Sequence, residues 1–568
     1  MAVVHSWPLA SAPGRLARLD NHDAELNTWI IAWVAHALPR QPLNLFDAPI
    51  LYPEHHSLAF SEHMFVPALI GAPLLWAGAS PVLVYNLLII AGLALSGWSM
   101  YLLMRRWTGS DSAAIIAGLA YAFNAHVLTR FVHLQAHHVE FFPLMLYAFD
   151  RVVVNPSTSL SAGRRWRDAV LLAAAFVLQS LCSNYLLVFM TYSLIACAVV
   201  RWREVIDPRA IRKLAVAGVI SAVLLAPFLW PYYQVSRDQG LARQASDVTQ
   251  YNAGWRDYLA TGGRLHFAWW SERFYEGRTA LFPGFTVLFL SVIALSRYVW
   301  GQPPNVAPGD ARGLAPSVAP GDARGLAPNV ANGDVGGLAP NVAAKIRMTL
   351  AVGVLGFALS FGTSLPGYAW LHQFLPLLSG LRNVARWGWL PLAALAILAG
   401  FGAAAIEKRK GAWRYAPMAL ALLITIEAIR TPVGFTPFNG IPAIYDRLAG
   451  RPNAVIVEFP FYSGASVSLN GPYVLANTRY FKPLLNGYSS FHPESFEARG
   501  RTLNSFPSAD AIAELQAAKV THVLVHAGAF ERRYSRTALD AIDTISELQL
   551  ETAEDGIRLY RLKPPVTP

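Results

Sequence analysis

A chain of 568 residues that is 54% hydrophobic and only 14% charged is not an ordinary soluble protein, since soluble domains carry about 25% charged residues. Its net charge of +11 sits mainly in short loops beside apolar runs, the placement of a membrane protein's cytoplasmic loops rather than of a nucleic-acid surface. Cys182 and Cys197 are the only cysteines, both inside apolar stretches, which excludes a disulfide framework and a cysteine-based zinc site.

Taken in chain order, residues 1–62 form a polar, acidic segment, followed by 63–78, apolar but short and interrupted by Pro67 and Pro73. That stretch reads as a kinked span or a helix lying in the membrane interface. Apolar runs of membrane-crossing character follow at about 81–104, 112–127, 139–154, 168–183, 185–200, 211–230, 281–299, 346–361, 386–404 and 414–430. Arg105-Arg106, Arg164-Arg165 with Arg167, Arg201 to Lys213, Lys345 with Arg347, and Lys408-Arg409-Lys410 fall on alternate connections, which assigns those loops to the cytoplasm. Residues 1–62, 128–138, 231–280, 362–385 and 431–568 are then expected on the outer face. With no helix before it, the first segment is either a short translocated tail or the sequel to a first helix missing from the start; the second is preferred.

Between residues 306 and 341 a twelve-residue unit repeats (VAPGDARGLAPS, VAPGDARGLAPN, VANGDVGGLAPN). Rich in Pro, Gly, Ala and Asp, it lacks the apolar face a solenoid stacks on, and the 301–345 loop is expected to be disordered and cytoplasmic. Beyond about residue 431 the composition becomes that of a small α/β unit. Ala454–Phe459, Val520–His526 and Ile557–Leu562 read as strands, and 508–518 as a helix feeding the second of them. The expected architecture is therefore mainly α, a polytopic transmembrane helical bundle over 1–430 with a small C-terminal α/β extramembrane domain over 431–568.

Polar groups are costly in a bilayer, so their collection at one side marks a site. Ten of the fifteen histidines lie in residues 1–63 and 126–138. Asp20 and Asp23 stand in the first cluster, with Glu54, Glu62 and His63 after them. Carboxylates there deprotonate an acceptor hydroxyl or hold a divalent cation, and the competing reading is a solvated loop anchored by aromatics. The second cluster contains Arg130, His133 and Gln135 beside His137, His138 and Glu140. It offers either a zinc ligand set or a hydrogen-bonded substrate lining, so a metal requirement stays open. The third is Leu381–Trp389 (LRNVARWGW), where Arg382 and Arg386, four apart, share a face if the segment is helical. Two guanidiniums at a membrane boundary form a phosphate clamp, against the alternative of snorkelling to lipid headgroups. No P-loop, dinucleotide fingerprint or nucleophile elbow is present.

Asp20 to Trp33 (DNHDAELNTWIIAW), continuing through NLFDAPILYPE and SEH, then YNLLIIAGLALSGWSMYLLMRRWTG, RFVHLQ, LRNVARW and LLNGYSSFHPE, resembles bacterial membrane glycosyltransferases of the GT-C class. More narrowly, the chain looks like a branch of that class with a C-terminal outer domain. The resemblance covers most of the chain and implies an acidic residue on the first outer loop, best matched by Asp23 with Asp20 before it. It also implies interfacial helices at 25–38 and 63–78. The activity it implies is inverting transfer of a sugar from a polyprenyl-phosphate donor to a lipid or glycan acceptor, in a bacterial inner membrane. Asp23 or Asp20 would serve as base, with Arg382 and Arg386 near the phosphate. The class places a helix before the acidic loop, which this sequence lacks. The alternatives are a non-catalytic membrane scaffold, or a transporter or flippase for polysaccharide or lipid-linked precursors. A flippase, however, calls for inverted repeats and polar groups on both sides of mid-membrane, and neither is seen.

Overall fold

The computed structural model describes residues 1–18, 22–154, 162–240, 245–277, 279–300, 340–375, 377–407, 413 and 415–565. Asp20, nearly all of the repeat loop and the basic run at 408–410 lie outside the described residues. Two short helices, α1 (Asp23–Ala37) and α2 (Phe65–Trp76), precede a bundle of longer ones. The bundle comprises α3 (Pro81–Thr108), α4 (Asp111–Ala122), α5 (Phe141–Val154), α6 (Ala162–Ser180), α7 (Asn184–Val200) and α8 (Pro208–Gln239). It continues with α9 (Phe285–Trp300), α10 (Pro340–Ser360), α11 (Trp389–Glu407) and α12 (Ala416–Ala428). Every expected apolar span coincides with one of these helices. Among the described residues, Pro81–Thr108, Pro208–Gln239, Asn341–Ser360 and Val384–Glu407 are long and apolar enough to cross a bilayer.

Local chemistry sets the helix ends. Ser80, Ser110 and Ser183 cap α3, α4 and α7 by accepting backbone N–H bonds, and Pro81 supplies the fixed φ favoured at a first helical position. The expected 112–127 span is shorter than its apolar run. It stops at Ala122, and Asn124 restarts the chain as the helical turn Ala125–Leu128 by accepting from Val127 N–H at 3.1 Å. That interruption turns residues 124–138 back across the end of the bundle. Helix α11 is apolar on all sides and correspondingly central, packing on α4, α9 and α10. Its approach to α9 needs glycine, since a Cβ on Gly402 would come 2.0 Å from the Leu290 carbonyl oxygen. In contrast, much of α8 is exposed along its apolar length, with Val219, Val223, Leu224 and Trp230 all outward, and it presents the surface that lipid would cover.

The C-terminal part forms a four-stranded sheet of β1 (Ile456–Phe459), β2 (His522–His526), β3 (Leu548–Glu554) and β4 (Ile557–Leu562) in the order β1-β2-β4-β3. β1 and β2 run parallel, fed by the helix Ala509–Ala517, and β4 is antiparallel to both neighbours. β3 has no counterpart in the sequence reading: its residues, LQLETAE, are largely polar and half-exposed, so no apolar run announces it. Segment 483–488 lies alongside β1, Ile456 N–H donating to Pro483 O and Leu485 N–H to Ile456 O. On its other side Leu51 N–H donates to Asn486 O and Tyr52 N–H to Leu484 O. The N-terminal loop is thus stitched into the sheet unit. Leu16–Ala17 also pairs with Thr436–Pro437, and Trp29 Nε1 donates to Asn477 Oδ1 at 3.1 Å from α1. Residues from 1–62, 128–138, 231–280, 362–385 and 431–568 meet at this one end of the bundle. Among the described residues, basic connections lie at the other end, where Arg201 is buried against Asp150 at 3.0 Å and Lys345 lies over Trp107.

Candidate functional site

At the shared end, α1 begins at Asp23, so its carboxylate faces the partial positive charge of a helix N-terminus. Asp23 Oδ2 lies 3.3 Å from His133 Nε2, and the Tyr488 hydroxyl donates to Oδ1. Burial opposes ionisation here. The His133 and Tyr488 hydrogen bonds and the Arg386 charge outweigh it and lower the Asp23 pKa to about 2. Burial lowers His133 to about 4 against the pull of Asp23, so at neutral pH its neutral imidazole donates from Nε2. His133 Nδ1, buried and unpartnered, is left as a lone-pair acceptor.

His133 also lines a small, partly open cavity, shared with His126, Arg130, Gln135, Tyr185 and Arg386. Buried polar atoms are normally satisfied, yet here Arg130 Nε and Nη2, Arg386 Nε, His126 Nδ1 and Gln135 Oε1 have no partner. Burial, then the Arg386 charge, pull the Arg130 guanidinium below its ordinary range. Arg386 stacks on the Tyr185 ring at 4.3 Å. Its nearest carboxylate is Glu62 at 3.9 Å, and burial raises the Glu62 pKa despite the arginine. The cavity thus holds two guanidiniums with unused donors, too little negative charge to balance them, and an ionised carboxylate at its edge. Such a site is made for an anion with several acceptor oxygens.

The structure brings Asp23, Arg130, His133, Gln135, Arg386 and Glu62 into one neighbourhood. The helical face expected to pair Arg382 with Arg386 does not form. Arg386 sits in the tight turn Val384–Gly388, but Asn383 before it has φ −97 and ψ 87, which breaks the helical path. Arg382 instead lies over the Tyr251 ring at 5.1 Å, and the second guanidinium of the cavity is Arg130. Glu54 accepts from the Ser495 hydroxyl at 2.6 Å, tying the first loop to the sheet unit, and is absent from the cavity lining. His63 lies just before α2, its Nδ1 accepting from Phe65 N–H at 3.1 Å, among the rings of Phe46, Phe228 and Tyr232. In the second cluster His138 bonds Glu140 at 3.0 Å and the Leu88 carbonyl. Among the described residues no three His, Cys, Asp or Glu side chains converge as metal ligands. Sequence reading missed Tyr488, His126 and Tyr185. Tyr488 stands in the LLNGYSSFHPE motif and Tyr185 in an apolar run, where nothing local separates it from core.

Fold and site together define a multi-pass membrane protein with a basic, anion-ready cavity at the end where a small sheet unit packs. No protein-family model matches the chain, and no curated protein matches it in sequence. Among solved structures it is similar to ArnT from Cupriavidus metallidurans bound to undecaprenyl phosphate. That likeness has a TM-score of 0.44 at 12% identity, over 94% of this chain and 96% of that one. It is also similar to the apo oligosaccharyltransferase of Archaeoglobus fulgidus, with a TM-score of 0.45 at 15% identity over 100% of this chain and 73% of that one. The same covered shares and identity, with a TM-score of 0.42, hold for Archaeoglobus fulgidus AglB in complex with an inhibitory peptide and a dolichol-phosphate. At such scores and identities the roles of residues in those proteins do not transfer to this chain.

Proposed function

We propose that the protein is an inverting membrane glycosyltransferase that moves a sugar from a polyprenyl-phosphate donor to an acceptor hydroxyl. The observation that carries this reading is the pair of buried guanidiniums, Arg130 and Arg386, with unused donors beside ionised Asp23. The donor's phosphate would occupy the cavity, its lipid running between helices. The acceptor oxygen attacks the anomeric carbon as the bond from that carbon to the phosphate oxygen breaks, and the departing phosphate gathers negative charge. Charge developing in a buried site is where fixed donors lower a barrier most. Asp23 accepts the acceptor's hydroxyl hydrogen bond and takes its proton as attack proceeds. With its pKa held near 2, Asp23 is always ionised but weakly basic, so orientation is the larger part of its role.

Charge placement supports the outer side of a bacterial inner membrane for the site end, and with it the sheet unit, since the basic connections gather at the opposite end. The test is transfer of a labelled sugar from a polyprenyl-phosphate donor by the full-length protein in lipid. Arg386→Ala and Asp23→Asn are each expected to lower transfer by about 10²-fold or more. Transfer at the wild-type rate in both variants would refute the assignment.

A further inference from the structure

The loop that begins at Arg264 docks on the end of α12. Arg264 N–H donates to Ile429 O at 2.7 Å, and Arg264 Nε donates to the Arg430 carbonyl at 3.4 Å. In the same loop His266 meets Phe285, the first residue of α9, edge-on at 5.3 Å. These contacts bring the Arg264 and Arg430 side chains to one open groove of about 440 Å³, whose other walls are Gly262, Phe267, Ala268 and Tyr275. That is many times the roughly 30 Å³ a water takes up in the liquid. Arg430 is held at one nitrogen, Nη1 donating to Leu128 O at 2.7 Å, and a Cβ on Gly262 would stand 3.0 Å from its Nε. Glu427, just before it at the end of α12, is turned away: its carboxylate accepts from the Thr286 hydroxyl at 2.6 Å and lies 3.5 Å from His266. Among the described residues neither Arg264 nor Arg430 forms an ion pair with a carboxylate, so the groove is net positive.

The groove stands where the lipid-facing surface ends. Leu422 and Ile426 on α12 and Phe285 and Phe289 on α9 are exposed, and the docked loop exposes Leu265 and Trp269. Exposed apolar helix sides beside an outward tryptophan mark the boundary between hydrocarbon and headgroups. The anion at that depth is a lipid phosphate, and guanidiniums offer it planar, paired donors. Charge decides which lipid. Two arginines without a carboxylate suit a headgroup whose phosphate carries the only charge, whereas a zwitterionic headgroup brings its own cation against them. We propose that this groove is a docking site for an anionic phospholipid of the surrounding bilayer, its phosphate between Arg264 and Arg430 and its acyl chains on the exposed sides of α9 and α12. The site shares no lining residue with the Arg130–Arg386 cavity, and its occupancy does not depend on the transferase reading.

The test uses the full-length protein in phosphatidylcholine nanodiscs doped with phosphatidylglycerol that carries a diazirine in its acyl chain beside the glycerol, with photo-adducts mapped by mass spectrometry. Adducts are expected to concentrate on residues 262–275 and 422–430. Phosphatidylcholine with the same diazirine, at the same fraction, is expected to give a several-fold lower yield there. The double variant Arg264→Gln, Arg430→Gln is expected to cut the phosphatidylglycerol yield at these residues about tenfold or more, through loss of charge-assisted hydrogen bonds, while adducts along α8 stay at the wild-type level. The proposal fails if the two lipids label wild type equally, a comparison that needs no variant to fold. It fails equally if the double variant keeps the wild-type yield. Loss of the wild-type adducts in excess inorganic phosphate would also overturn it, by marking a site for a free anion rather than for a lipid.

Discussion

Asp23 owes its low pKa to three neighbours from distant parts of the chain, His133, Tyr488 and Arg386, and each can be removed singly. Tyr488→Phe deletes one hydrogen bond to the carboxylate and leaves the ring. The sign follows from the depressed pKa. Stability and activity tied to ionised Asp23 are present above its ordinary value, 3.8, and are lost as pH falls through about 2. Without the tyrosine hydroxyl the acid limb of transfer is expected to begin about one unit higher, read from a pH profile; an unmoved limb would remove Tyr488 from the account. His133 acts in the same direction for a different reason. Its pKa is lowered from 6.5 to about 4, so the unfolded chain binds more protons between those values and stability falls as pH drops across that window. At this scale the carboxylate and the arginines were legible as chemical types in a polar neighbourhood. Their partners were not, because the Tyr488–Asp23 contact joins residues 465 apart and no local spacing encodes it.

Among elements, apolar run length made the bundle helices readable, along with three of the four sheet strands. Two features escaped for physical reasons. The Asn124 restart lies inside a continuous apolar run, and the break at Asn383 lies inside a segment whose spacing alone looks helical. Both matter, because the first aims Arg130 at the cavity and the second separates Arg382 from Arg386. The bundle itself depends on close approach of α9 and α11. Gly402→Leu would force a side chain toward the Leu290 backbone, where even a Cβ lies at 2.0 Å, and is expected to cost about 1–3 kcal/mol or more of stability. A thermal unfolding midpoint equal to wild type would show that this contact tolerates separation.

For the whole molecule, the two ends divide by chemistry. Among the described residues, one gathers basic connections and the other the cavity, the first loop and the sheet unit. Under the proposed function the sheet unit lies outside, as the positive-inside rule expects. Cys182 and Cys197 are buried and so are expected to be silent toward a membrane-impermeant maleimide. A cysteine placed at exposed Leu469 should label in intact cells, and one at exposed Trp202 only after permeabilisation. The reverse pattern would invert the topology. The central claim, that Arg130 and Arg386 hold a lipid-linked phosphate, is tested most directly by the affinity of the full-length protein for a polyprenyl phosphate. Wild type is compared with the double variant Arg130→Gln, Arg386→Gln in the same nanodiscs. Two charge-assisted contacts, each about 1.5–3 kcal/mol, predict at least about a 100-fold loss of affinity; equal affinity in the two proteins would contradict the account.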